Sequence, residues 1–316
     1  LIAPRQCWHT QDLIKLQSYG LYSYSIVYDT PPFLARSFYR KIFISRFIPF
    51  ELLQRFWRIA AMPMWSIYIF FRVRFSSNII HCHGLFSLVI SISSCLPCSR
   101  IVFTPQGSDV LVLPFKNYLV KKFLSIFLSK LYCITADSQL ILDVCTSLSD
   151  LNASKLYHIQ NGIDFSMLNS LSESSNKFDI CWPRGLSNVY QFDYFLDILL
   201  YLSSIVSHPL HVCIIGAFGN TQIPQSLLNS KNIKLTFYDR LQPSNFFSVL
   251  KASRLIVSIP KSDSSPRTVY EAIALKKHLF LSDLRCFDWI PSFSNLPFMY
   301  SSGSTKDDAL LINQYL

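Results

Sequence analysis

Asp263 and Glu271 stand eight positions apart in the segment SIPKSDSSPRTVYEAIALKKHLFLSD, residues 258–283. The segment reads as strand, polar loop, helix, strand. Residues 255–259 form a largely apolar run suited to a buried parallel strand. Ser264 or Ser265 can cap a helix, and Pro266 then fits its first turn, where a missing N–H costs nothing. Lys276 and Lys277 close the helix at its negative end, and a strand restarts at residues 278–281. Such a helix start offers backbone N–H groups to an anion, most naturally a phosphate. One carboxylate lies on the approach loop and the other about two turns into the helix. Together they suit a site that holds a phosphorylated sugar by its phosphate and its hydroxyls. An ordinary βαβ unit with solvated charges has the same outline, and the segment alone leaves both readings open.

The surrounding chain supplies the scaffold. Candidate strands fall at residues 25–28, 79–82, 100–104, 132–135 and 156–159, alternating with helix-like stretches at 85–96 and 116–130. This spacing predicts a parallel, doubly wound sheet. Asn161-Gly162-Ile163-Asp164 is a tight-turn signal, and residues 168–177 are rich in Ser and Asn and read as a linker. The alternation then restarts: strands at 178–182, 211–215 and 233–237, helices at 193–206 and 243–252. The expected fold is α/β, with two Rossmann-like domains facing across a cleft, residues 1–168 and 169–316. A cleft lined by strand carboxyl ends suits a two-substrate reaction that must exclude water.

Composition narrows the function. Half of the 316 residues are hydrophobic and 15% are aromatic, which excludes a disordered chain. Only 8 are glycine, against about twenty at ordinary usage. Gly84, Gly107, Gly162, Gly185 and Gly216 each follow or end an apolar run, where α/β sheets turn and bind ligands. Lys and Arg outnumber Asp and Glu by 29 to 19. The excess points to nucleic acid, an anionic membrane or a phosphorylated substrate. The basic residues are dispersed, densest between Arg36 and Arg74 among Phe, Trp and Ile. That mixture suits a membrane interface better than a nucleic-acid groove, and equally a basic helix pair with its aromatics inward.

The 9 cysteines form no framework. Cys95 and Cys98 make a lone CxxC, and Cys82 lies between His81 and His83, without the second ligand pair a zinc site needs. Reduced thiols in the cytosol are the default. No secretory signal opens the chain, which begins at Leu1 without an initiator Met, so the start is open to being cut. Residues 59–71 hold 13 uncharged residues, too few to span a membrane, and Pro63 interrupts them. Residues 76–99 read instead as a soluble strand, turn at Gly84 and helix.

With these pieces in order, the chain resembles the group 1 glycosyltransferases, retaining enzymes of the GT-B fold and of the bacterial surface-polysaccharide type. Five segments carry the resemblance: Ile80-His81-Cys82-His83-Gly84; Thr104-Pro105-Gln106-Gly107-Ser108-Asp109; Ala136-Asp137-Ser138 before a helix; Ile159-Gln160-Asn161-Gly162-Ile163-Asp164; and residues 258–283. The resemblance implies a nucleotide-sugar donor held mainly by the C-terminal domain and an acceptor held mainly by the N-terminal one. Glu271 matches the Glu that hydrogen-bonds the donor ribose. Asp263 stands where a first Glu lies near the transferred sugar. Ser265, Arg267 and Thr268 line the donor diphosphate, and Arg184 matches a phosphate-binding Arg, whose charge offsets the negative charge growing on the departing diphosphate. Gly216 lets the donor approach the backbone.

Three departures stand out. Val189 replaces the Lys expected five residues after Arg184; Asp263 is one methylene shorter than Glu; and Gln106 stands where many members have His. Gln hydrogen-bonds a sugar hydroxyl or oxyanion but exchanges no proton near neutral pH. Gln106 and Asp263 are the candidate catalytic residues; His83, Gly107 and Asp109 are the candidate acceptor residues. For His83 the alternative is a buried, satisfied side chain, and for Asp109 a helix cap. Asn161 and Asp164 are expected to shape the interdomain turn.

The resemblance implies a cytoplasmic, hexosyltransferase-type enzyme acting on a glycan or lipid-linked acceptor, peripheral on the inner membrane face, with no metal and no cofactor. Nucleic acid is not expected as a partner. Two alternatives stay open: a sugar-nucleotide epimerase or hydrolase on the same fold, and a catalytically impaired relative serving as a binding subunit. The chain ends at Leu316, before the closing helices typical of the family, as a fragment or a shortened member would.

Overall fold

A computed structural model describes residues 2–3, 27–28, 63–64, 66–71, 79–171, 176–216, 223–239, 241–288 and 298–316. The chain divides into two compact units, Leu1–Gln160 and Asn161–Leu316. The sequence placed the division eight residues later, in the Ser- and Asn-rich stretch. The earlier point follows from packing: Leu168 is buried in the core of the second unit, with Ile163, Met167 and Leu171 against it.

The first unit is built on a parallel sheet of β1 (Ile2–Ala3), β2 (Val27–Tyr28), β3 (Ile80–His83), β4 (Ile101–Thr104), β5 (Cys133–Ala136) and β6 (Leu156–His158). Among the described residues the spatial order is β2-β1-β3-β4-β5-β6. β3 and β4 pair from Ile80 opposite Ile101 to His83 opposite Thr104, so the two strands end level. Helix α1 (Leu85–Ser93) follows β3 directly, and Gly84 makes the turn at φ 83°, a conformation other residues rarely adopt. Ile80, Cys82, Ile101, Phe103, Leu88 and Leu124 form the centre of the core.

The helix expected over 116–130 is broken. It becomes α2 (Gly107–Leu111), α3 (Leu113–Lys116) and α4 (Tyr118–Phe127). Asn117 decides the break. Its backbone is extended and its carboxamide oxygen accepts from the N–H groups of Leu119 and Val120, which starts a new helix. α5 (Gln139–Leu148) crosses from β5 to β6.

The second unit opens with α6 (Phe165–Asn169), capped by the Asp164 carboxylate on the N–H of Met167. Then come β7 (Phe178–Trp182), α7 (Phe192–Ile205), β8 (Leu210–Ile215), α8 (Gln225–Leu228), β9 (Ile233–Tyr238), α9 (Pro243–Lys251), β10 (Ser253–Ser258), α10 (Arg267–Ala274), β11 (His278–Leu281), β12 (Phe298–Tyr300) and α11 (Thr305–Tyr315). The strands lie parallel in the order β12-β11-β10-β7-β8-β9. The order in which strands are added therefore reverses between β7 and β10, which still run parallel. In an open parallel sheet the connections leave to opposite faces at such a point and open a crevice at the strand ends.

Both faces of this sheet are covered. Val212, Ile214, Leu255 and Val257 pack with Trp182 and Phe195 on one side. Cys213, Ile215 and Ile256 pack with Val269 and Phe287 on the other. Burial on two faces explains the unbroken apolar runs of β8 and β10. In this unit β7, α7, β8, β9, α9 and β11 begin and end within one residue of the sequence reading; α6, α8, β12 and α11 were not foreseen, α1 of the first unit stops three residues short at Ser93, and the start of α10 differs. There Pro266 takes the N-cap position and neither Ser264 nor Ser265 caps the helix with its side chain. The helix also stops at Ala274, before Lys276 and Lys277, and Lys276 turns the chain at φ 55°.

Asp308, at the start of α11, has a structural role the sequence reading missed. Its carboxylate is fully buried and accepts from Tyr194 Oη at 2.7 Å, the Ser302 N–H at 2.7 Å and Ser302 Oγ at 2.8 Å. A buried carboxylate is tolerated only when so satisfied, and this one ties α11 to α7.

Candidate functional site

The crevice between β7 and β10 gathers most of the singled-out residues of the second unit. The loop of residues 183–191 leaves β7 and carries Arg184; the loop of residues 259–266 leaves β10 and carries Asp263. Arg184 donates from a terminal guanidinium nitrogen to the Asp263 carboxylate. Both side chains are largely buried, at 11% and 16% exposure. The guanidinium also lies over the Tyr190 ring, 4.5 Å from its centre, which fixes its plane.

Several bonds set the two loops against each other. The Lys261 N–H donates to the Val189 carbonyl at 2.8 Å, and the Gln191 carboxamide donates to the Ile259 carbonyl at 2.8 Å. Gln191 itself is left-handed, at φ 60°. From behind, the Ser282 hydroxyl donates to the Pro260 carbonyl at 2.9 Å. Asp263 accepts a second bond, from the Ser264 N–H at 2.8 Å. Gly216, just past β8, backs the Arg184 loop. A Cβ there would lie 3.0 Å from Cγ of Leu186 and 3.4 Å from the Arg184 carbonyl oxygen. Close approach of the Leu186 side chain, not the backbone angle, favours glycine at this position.

The second carboxylate is deeper. Glu271 is 5% exposed, and its Oε1 accepts from Nε of Arg267 one turn earlier, at 2.9 Å. Burial pushes its acid strength down and its pKa above the usual carboxylate range, against the opposing pull of Arg267 and of Arg184. Thr268 sits beside Arg267 in the first turn of α10, and Ser265 Oγ lies 3.4 Å from the Tyr270 hydroxyl. The Cys286 thiol is held near 12, by burial first and then by the Asp263 charge, so it stays neutral and is no nucleophile.

Two polar atoms in this crevice are buried with no hydrogen-bond partner among the described residues: Ser258 Oγ, at the end of β10, and Arg184 Nε. Nothing in the sequence marked Ser258. Orphaned polar atoms are rare in folded proteins and fit a place where a polar ligand completes the set.

The candidate acceptor residues assemble at the ends of β3 and β4 in the first unit. The Asp109 carboxylate accepts from the N–H of Gln106 at 2.8 Å and from the N–H of Leu85 at 2.9 Å. It thus pins the start of α2 to the start of α1, with Gly84 between: a Cβ on Gly84 would lie 3.6 Å from Asp109 Oδ2 and 3.7 Å from Gln106 Cγ. Burial raises the pKa of Asp109 and the two backbone donors oppose the rise. Of the two roles open to Asp109, the structure shows the cap. His83 is 4% exposed and its ring lies 4.3 Å from that of His81, which meets Thr104 Oγ1 at 2.7 Å. Gly107 opens α2.

Among the described residues no cluster of His, Cys, Asp and Glu is disposed to hold a metal ion. None of their helices is long and apolar enough to cross a membrane. Most of the basic, aromatic stretch between Arg36 and Arg74 lies outside the described residues.

No protein-family model matches the chain, and no curated protein matches its sequence. Solved structures do match its fold. A glycosyltransferase from Rickettsia africae aligns with a TM-score of 0.68 at 13% identity, over 99% of this chain and 87% of that one. HepE of Anabaena, solved with UDP and glucose, aligns with a TM-score of 0.61 at 13% identity, over 96% of this chain and 79% of that one. OtsA gives 0.60 at 11% identity, over 81% and 70%. The chain has the fold of the GT-B glycosyltransferases, a mixed α/β architecture with parallel sheets.

Proposed function

We propose that this protein transfers a sugar from a nucleoside-diphosphate donor to an acceptor hydroxyl, with retention of configuration. The observation that carries the reading is the meeting of Arg184 and Asp263 at the reversal point of the second sheet, beside the start of α10. HepE, which shares the fold, has been solved with UDP-glucose. That likeness supports a nucleotide-sugar donor here.

In this reading the donor diphosphate lies along residues 265–268, where the helix start offers N–H groups and positive potential. Glu271 hydrogen-bonds the ribose and Asp263 the transferred sugar. The bond from the anomeric carbon to the diphosphate breaks, the acceptor oxygen bonds to that carbon, and its proton leaves on a phosphate oxygen. Arg184 and the helix start stabilise the charge that grows on the diphosphate. Gln106, Gly107, His83 and the turn held by Asp109 serve the acceptor. No metal or cofactor is needed for this division of labour.

The acceptor is proposed to be a glycan or lipid-linked sugar in bacterial surface-polysaccharide assembly, met at an anionic membrane face on the cytoplasmic side. α3 and α4 support this. Phe115, Tyr118 and Leu119 are 64%, 73% and 74% exposed, with Lys116, Lys121 and Lys122 exposed among them. Bare aromatics set among lysines suit an interfacial helix.

The reading is tested by thermal shift with UDP, GDP, ADP, CDP and TDP and their sugar conjugates. At a hundred times its Kd a ligand adds about 2.7 kcal/mol to the native state. At least one nucleoside diphosphate is expected to raise Tm, and Arg184→Ala to abolish the rise. Silence across the panel overturns the reading. A donor-binding subunit without transfer activity is the second reading, favoured by the engagement of Asp263 with Arg184 and by Val189. Donor binding with no release of nucleoside diphosphate across a broad acceptor panel would select it.

A further inference from the structure

The charges of the crevice nearly cancel before any donor arrives. Arg184 is paired with Asp263 and Arg267 with Glu271. A diphosphate therefore meets two cations already engaged by two carboxylates, in a partly desolvated place where an unbalanced charge weighs heavily. The sequence offers no relief where a Lys was expected: Val189 is there, 53% exposed.

The fold brings the backbone of another cationic residue beside Val189. Lys261 lies on the β10 loop, two residues before Asp263, and its N–H donates to the Val189 carbonyl at 2.8 Å. Residues bonded in this way have Cα atoms about 5 Å apart, less than the reach of a lysine stem. The side chain of Lys261 is exposed, and among the described residues it makes no ion pair and no hydrogen bond. Its ammonium is a compact charge with three donors on a flexible stem, able to follow a phosphate as it departs.

We infer that Lys261 is the second cation of the donor diphosphate site, moved onto the β10 loop from the position Val189 occupies on the β7 loop. This rests on the donor-binding reading above, which it deepens. Arg184 holds the diphosphate from the β7 side and Lys261 from the β10 side.

The test is calorimetric titration of the whole chain with the nucleoside diphosphate that binds wild type and with the matching nucleoside. Lys261→Ala is expected to weaken the diphosphate about tenfold, the loss of one charge-assisted contact, and to leave the nucleoside unchanged. Tm without ligand should not move, because the side chain is exposed. Lys261→Arg should keep affinity within about threefold. Val189→Lys in the Lys261→Ala background should recover most of the loss, since the ammonium returns to the same place from the other loop. If Lys261→Ala binds the diphosphate as wild type does while Arg184→Ala does not, the role of Lys261 is overturned and the donor site stands. If wild type binds no nucleoside diphosphate, the donor reading falls and this inference with it.

Discussion

Arg184 and Asp263 lie 79 residues apart in the chain and close an ion pair across the crevice between β7 and β10. Each arrives on a loop that leaves the sheet at the point where strand order reverses. The bonds from Lys261 to Val189 and from Gln191 to Ile259 tie the two loops together. The pair neutralises two groups that would otherwise be buried as single charges, and it keeps Arg184 beside the path proposed for the diphosphate.

Removing the acid should therefore expose two effects at once. Asp263→Ala leaves a mostly buried guanidinium without its counterion, at a cost of about 3 kcal/mol and a fall in Tm of about 6–12 °C. A saturating nucleoside diphosphate should restore more Tm in the variant than it adds to wild type, because its phosphate takes the place of the carboxylate. Equal shifts in the two proteins would place the diphosphate away from Arg184.

Gly216→Ala tests the fit behind the Arg184 loop. The new methyl would press on Leu186 at 3.0 Å and just touch the Arg184 carbonyl oxygen at 3.4 Å. Overpacking of this kind costs about 1–3 kcal/mol, and the displaced loop should weaken donor binding as well. Adding Leu186→Ala should relieve both losses. A Gly216→Ala protein with unchanged Tm and affinity would show that the loop yields freely.

Glu271 gives the C-terminal unit a pH signature. Its pKa is raised in the folded state by burial, so folding favours its protonated form. Its contribution to stability is full below the unfolded carboxylate pKa and is lost as pH rises through the raised folded value. Glu271→Gln removes that dependence. Wild type minus variant, followed by denaturant melts from pH 4 upward, should show wild type losing stability relative to Glu271→Gln as the pH rises. A difference that runs the other way would mean the Arg267 and Arg184 charges outweigh burial.

Asp109 should matter to the first unit as a fastener. Asp109→Ala leaves the N–H groups of Gln106 and Leu85 without their acceptor, at about 2 kcal/mol or more. Asp109→Asn retains an acceptor oxygen and should lose less. Matching losses in the two variants would assign the effect to the charge and not to the bonds.

The apolar surface of α3 and α4 predicts lipid binding. Phe115→Asp with Leu119→Asp should cut co-sedimentation with anionic phosphatidylglycerol vesicles at least tenfold. The fold should persist, since both side chains face solvent. Unchanged sedimentation, or equal binding of wild type to neutral vesicles, would remove this surface from the membrane reading.

Much of the architecture was legible because short apolar runs alternate with longer amphipathic ones, and that rhythm belongs to doubly wound sheets. Residues 178–182 and 278–281 were read to the residue. The expected helix over 116–130 was not, because Asn117 satisfies backbone donors with its own side chain, a competition that hydrophobic periodicity does not register. The start of α10 was misread for a related reason. Ser264 and Ser265 have the right chemistry for a cap, but the Asp263 carboxylate takes the Ser264 N–H and Pro266 fills the cap position.

Residue types and local spacing determined that Asp263, Arg267, Thr268 and Glu271 would share one loop and helix, and that Gln106, Gly107 and Asp109 would share another. A few residues of chain hold such groups together whatever else the molecule does. Only the folded sheet decided that Arg184 would meet Asp263, that Gly216 would back its loop and that Lys261 would lie against Val189. Those neighbours are set by the order of parallel strands, a consequence of how two apolar faces are covered at once, and no stretch of sequence encodes that order by itself.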